Sequence, residues 1–187
     1  MSVTNLKARP KAAADRISED IYRAIIIRGK AIASNQLRHC AAPETVAETL
    51  GASVPLEFWL ANKDELLARG GTTAVQIAAD QSPVDLADDL DKIDCIVLPL
   101  VAGVDGRPYS LAYRLRTQLK YTGEIRATGD IKHDTLGFLQ RVGVSAFELS
   151  EGQDLEAALY AFSDFSDVYQ PSADDGQLIF ARRRMSH

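Results

Sequence analysis

The sequence predicts an α/β fold: an open, mostly parallel sheet of about four βα units, half-barrel-like or doubly wound, with an N-terminal helix or hairpin extension. Three observations carry this reading. Short apolar runs recur at Thr73 to Ala78, Cys95 to Val101, Glu124 to Thr128 and Ala146 to Leu149. Between them lie segments whose apolar residues repeat at helical spacing. Each of those segments begins with a residue able to accept from free N–H groups, and several end on a glycine that tolerates positive φ. Strands alternating with helices imply parallel neighbours joined by right-handed crossovers. A closed barrel needs eight such units, so an open layer is expected, with the first helix and the hairpin covering an edge.

Taken in order, residues 1–15 lack apolar periodicity and carry Lys7, Arg9 and Lys11, which reads as a flexible basic arm. Residues 16–170 read as a single α/β domain and 171–187 as a C-terminal tail, in which Leu178-Ile179-Phe180 could add an edge strand. Ala24 to Ala33 holds two short apolar pieces around Gly29-Lys30 and suits a hairpin, with a helix from Asp15 through Ile27 as the competing assignment. Ser53 and Pro55 open a helix with Leu56, Trp59, Leu60 and Leu67 inward. Ser82-Pro83-Val84-Asp85 opens a second, with Leu86, Leu90 and Ile93 inward. Ser110, Asp134 and Asp154 open three more, the first running to Gly123.

Composition excludes several classes. The chain has 187 residues and a formal net charge of −5, which offers no global basic field for nucleic acid or an anionic membrane. The charge is segregated: residues 1–40 carry eight basic and three acidic side chains, and the remainder is strongly acidic. Two cysteines, Cys40 and Cys95, are too few for an iron–sulfur cluster held by four thiolates, and Cys95 within Cys95-Ile96-Val97-Leu98 reads as a buried hydrophobe. No cofactor is evident: G-x-G-x-x-G, the P-loop, G-x-S-x-G and H-E-x-x-H are all missing. No run of 18 apolar residues and no secretory leader occurs, so a cytoplasmic location is expected.

Chemistry in a parallel α/β protein gathers where strand C-termini meet helix N-termini. Two loops concentrate unusual residues there. One contains Asp105, Gly106, Arg107, Tyr109 and Ser110; the other follows Arg126 and contains Asp130 and His133. Arg126, inside a predicted strand, must be paired or sit at the mouth of the sheet, and Asp105 and Asp130 are its candidate partners. Arg107, Tyr109, Ser110 and Arg126 form the candidate anion- or ligand-binding set, and Asp105, Asp130 and His133 are the candidate proton-transfer groups. No metal ligand set is seen.

The ordered series Asp105-Gly106-Arg107-Pro108-Tyr109-Ser110, Tyr121 to Asp130, Phe147-Glu148-Leu149 and Gly152 to Ala158 resembles the bacterial DUF934 family. The likeness covers about Val54 to Gln170, and both family loops, D-G-R-x-Y-S and G-E-x-R-A-x-G-D, are complete. It departs upstream, where Asn35-Gln36-Leu37 replaces an aromatic and an acid, and at Leu100 to Gly103. Family members are often labelled oxidoreductases of sulfite reduction, and their genes commonly lie beside that of sulfite reductase. The resemblance therefore implies an accessory protein of assimilatory sulfite or sulfate reduction, with sulfite reductase as partner and a small oxyanion at the strand-end edge. It transfers no catalytic residue. Alternatives are a stand-alone enzyme acting on a small anionic substrate, or a structural assembly subunit; a homo-oligomer is left open.

Overall fold

The computed structural model describes residues 25–40, 51–101, 105–149, 153–162 and 172–173. In chain order these form β1 (Ile25–Arg28), β2 (Ala31–Ser34), β3 (Arg38–His39), β4 (Gly51–Pro55), α1 (Leu56–Ala68), β5 (Thr72–Gln76), β6 (Cys95–Leu100), α2 (Arg107–Thr117), β7 (Glu124–Gly129), α3 (His133–Arg141), β8 (Ala146–Phe147) and α4 (Leu155–Tyr160). The basic arm, residues 15–24 of the competing helix and the edge strand expected at Leu178 lie outside the described residues, as does nearly all of the tail, while Ile25–Ile27 stand in β1 and not in a helix.

The strands make one eight-stranded sheet in the order β2-β1-β8-β7-β6-β5-β4-β3. It is mixed rather than mostly parallel. β3 through β8 run parallel, but β1 is antiparallel to both β2 and β8. The hairpin is therefore part of the sheet and does not cover its edge. Gly29 and Lys30 both have positive φ, 55° and 66°, the backbone that a two-residue hairpin turn requires.

The sheet is curled. β2 and β3 are its opposite edges, yet only residues 35–37 separate them. Four Cα steps span at most about 14 Å, whereas the edges of a flat eight-stranded sheet would lie about 33 Å apart. A half-barrel results, with two unlike faces. The convex face carries Ile27, Val54, Val75, Ile96, Leu98, Ile125, Ala127 and Phe147, packed against Trp59, Leu115, Leu136, Ala158 and other helix residues in the main core. The concave face holds a small second cluster of Leu37, Ala74, Cys95 and Val97, and polar residues fill the rest. Eight strands leave an interior about wide enough for side chains alone.

Local differences from the sequence-based expectation have local causes. The segment from Ser82 forms two 3-10 turns, Pro83–Leu86 and Leu90–Lys92, in place of one helix. Asp89, at φ −118° and ψ 0°, leaves the helical path and buries its carboxylate against Lys63 and Lys92, at 3.1 and 3.0 Å. α2 begins at Arg107, because Pro108 in the first turn has the preset φ and lacks only an N–H that would be unpaired there. It ends at Thr117, and Lys120 turns the chain with φ 56°. Ser53 and Pro55 belong to β4, and Pro55 is also the N-cap of α1, so the helix starts where expected, while Leu60 is exposed and not inward. Asp154 caps α4 as expected, its carboxylate accepting from Glu156 and Ala157 N–H at 2.9 and 3.2 Å.

Candidate functional site

Register decides which side chains meet inside the curl. Ser53, Ala74, Cys95 and Glu124 are cross-strand neighbours and so share one face, joined by His39 opposite Ser53. Two residues further along, Gln76, Val97, Arg126, Ala146 and Arg28 share it too. Curling brings these rows together across strands far apart in the sheet, and the result is a closed polar network.

Arg126 is its hub. The guanidinium sits 2.6 Å from Glu124 and 3.0 Å from Glu148, and Nη1 also donates to Asn35 Oδ1 at 2.7 Å. Glu124 takes a second cation, Arg28, at 2.6 Å. Glu148 accepts from Asn35 Nδ2 at 3.2 Å and lies 2.9 Å from His39 Nε2. His39 Nδ1 lies 2.6 Å from Ser53 Oγ, which also accepts from Gln76 Nε2 at 2.8 Å. Since a carboxylate only accepts, the partners place the imidazole hydrogen on Nε2 and leave Nδ1 to accept from the Ser53 hydroxyl. Asn35, His39, Ser53, Gln76, Arg126 and Glu148 are all buried.

Two carboxylates face two guanidiniums, so the charges balance. Burial works against the charged form of Glu148, but His39 and Arg126 outweigh it and hold its carboxyl below the ordinary range. For Arg126 burial also opposes the charge, and the carboxylates of Glu124 and Glu148 outweigh it and raise its pKa. Burial pushes the Cys95 thiol well up, which keeps it an un-ionised hydrophobe with a weak contact to Glu124.

The strand-end candidates are not part of this network. Arg126 finds Glu124, Glu148 and Asn35 in place of the expected Asp105 and Asp130, because its side chain points into the curl and not toward the loops. Asp105 instead pairs with Arg107 at 2.7 Å, and it accepts the Arg107 N–H at 3.0 Å. Those bonds from Arg107 draw the Asp105 carboxyl below its ordinary value. Tyr109 is half-buried on α2; burial and the charge of Asp134 raise its pKa. Ser110 and His133 are exposed in the first turns of α2 and α3. Asp130 is half-buried, its N–H bonded to Leu100 carbonyl at 2.8 Å; Gly129 before it has φ +97°, and a Cβ there would strike the same carbonyl. Sequence reasoning missed Asn35, His39, Ser53, Gln76 and Glu148. The signal available was a polar residue among apolar ones in successive strands: Gln76, Arg126 and Glu148.

Residues 74–180 match the family model DUF934, described as a bacterial protein of unknown function. The chain belongs to this family. Nothing among curated proteins or solved structures matches it. The match takes in Arg126, Glu124, Glu148 and Gln76, whereas the network's other members, Arg28, Asn35, His39 and Ser53, precede the matched region. Among the described residues of this DUF934 protein no helix is long and apolar enough to cross a membrane. Nor do those residues gather three His, Cys, Asp or Glu side chains in a metal-holding group.

Proposed function

We propose that this DUF934 protein is an accessory subunit of assimilatory sulfite or sulfate reduction that docks on sulfite reductase. The pathway rests on the family resemblance. The accessory role rests on one observation: the buried charges inside the curl are spent on one another, Arg126 on Glu124 and Glu148 and His39 on Glu148, so the polar interior serves to hold the barrel. Docking then falls to the outer surface, where Asp80, Asp85, Asp88, Asp91 and Asp94 are exposed along one segment beside α1 and suit an electrostatically steered partner. A deletion strain grown on sulfate, sulfite, sulfide or cysteine tests the pathway. Growth is expected to fail on sulfate and sulfite only; equal growth on all four overturns the reading. Docking predicts binding to purified sulfite reductase that weakens with salt and with Asp85→Lys and Asp88→Lys together.

A second reading, an enzyme in its own right, is favoured by the Glu148–His39–Ser53 chain, which has the carboxylate–imidazole–hydroxyl order of an activated nucleophile. It requires a serine-reactive fluorophosphonate to label Ser53. Its absence from the intact, folded protein would remove this reading.

A further inference from the structure

Among the described residues, β2 has a free outer edge. The two-residue turn at Gly29-Lys30 makes Arg28 and Ala31 a hydrogen-bonded pair, and the Gly29 N–H points the other way, to the Ser145 carbonyl at 3.1 Å. Bonding alternates along an antiparallel pair, so Ala31 and Ala33 bond to β1 while the N–H and C=O groups of Ile32 and Ser34 point away from it. Native edges are usually blunted by charge, proline or a bulge. Ala31-Ile32-Ala33-Ser34 has none of these, and Ile32, opposite Ile27 on the convex face, is 42% exposed. The other edge, β3, is two residues long and begins with a charged one, Arg38.

The size of the edge decides its occupant. Four residues make about 13 Å of strand, far short of the roughly 1,200 Å² that a stable complex between separate molecules buries. A segment of the same chain needs no such area, because a short tether holds it at millimolar effective concentration. Ala173 N–H bonds to the carbonyl of Arg141, the last residue of α3, at 3.0 Å. A few residues further on, Ser145 meets Gly29, so the chain leaves Ala173 at the turn end of β1 and β2. Reaching β2 from there means crossing two strand spacings, about 10 Å, and one packed layer, about 10 Å, a diagonal of about 14 Å. The five Cα steps from Ala173 to Leu178 span up to about 17 Å. What they lead to is Gln177-Leu178-Ile179-Phe180-Ala181, uncharged and rich in strand-forming residues, and the family match extends to Phe180.

We propose that residues 177–181 of this chain add to the free edge of β2 as a further strand. Entering at the turn end, they run parallel to β2. Leu178 and Phe180, two apart, share a face and cover Ile32, while Ile179 joins the ladder between Ile32 and Ser34. The proposal is independent of docking on sulfite reductase and of reaction at Ser53, and each can fail alone.

Amide hydrogen exchange, followed residue by residue in the full chain, tests it. The Ile32 and Ser34 N–H groups are expected to be protected at every protein concentration. Ile179→Pro, which removes a ladder donor, should speed their exchange by at least about tenfold and leave Ile96 and Val97 in β6 unchanged, which also shows that the variant is folded. Leu178→Asp keeps every N–H, places a charge beside Ile32 and should act in the same direction. Free exchange of both amides in the unaltered chain overturns the proposal, as does protection that both variants leave intact. Protection that rises with protein concentration overturns it too, by giving the edge to a second copy of the chain.

Discussion

Arg126 and Arg107 each hold a carboxylate, Glu148 at 3.0 Å and Asp105 at 2.7 Å, and the shorter contact belongs to the weaker arrangement. The Arg126 and Glu148 side chains are 3% and 1% exposed, whereas Arg107 is 56% exposed. Water screens the rim pair and competes for both partners, so its net worth is small. Inside the curl no water replaces a lost partner, so removing one group leaves the others charged and unmet. Position, more than distance, sets what an ion pair does: the inner one, with its neighbours, joins β3, β7 and the residues after β2 and β8, and the outer one fixes the entry to α2.

The largest expected effect follows from that contrast. Arg126→Ala should cost about 3–5 kcal/mol, measured by urea denaturation, because Glu148 would stay buried without it, while half-buried Glu124 keeps Arg28. A loss under about 1 kcal/mol would mean that the interior is wetter than its burial indicates. His39→Ala should cost less, about 1–3 kcal/mol, by leaving Ser53 and one Glu148 oxygen unmet. Acid should separate the two regions as well. The Glu148 carboxyl is depressed in the folded state, so its contribution is full above the ordinary glutamate value of about 4.3 and is lost as pH falls through the lower folded value. Melting temperature should therefore fall below about pH 4, and His39→Ala, which removes one cause of the depression, should flatten that fall. Smallest of all, Arg107→Ala should change stability by under about 1 kcal/mol, with an effect that shrinks further in high salt.

The parallel core was legible because its punctuation is local: caps at Asp154 and Ser82, and a glycine such as Gly143 at φ +104° after α3. β3 and β4 were not, since Arg38–His39 is two residues long and Gly51-Ala52-Ser53 has no apolar alternation. Their polarity reflects what they face, the inside of the curl. The network was hidden for a related reason. His39 and Glu148 lie 109 positions apart, and nothing in either neighbourhood announces the other. Arg126 alone stood out: the sequence required it to be paired or to sit at the mouth of the sheet, and it is paired, with partners other than those expected. Asn35, noted in the sequence as a departure from the family pattern, turns out to donate to Glu148 and accept from Arg126, so the departure falls within the network itself.

The pairing of Ile27 with Phe147 has a consequence for synthesis. A chain emerging from the ribosome presents β1 and β2 first, but β8, which among the described residues joins them to the rest of the ladder, follows about 120 residues later. At about 5–20 residues per second the hairpin waits on the order of ten seconds with Ile26 and Ile27 unburied. The parallel strands complete themselves in the interval, and the hairpin docks last. A nascent chain stalled before residue 147 should therefore show a protease-sensitive β1–β2 hairpin beside an already protected β4–β7 core.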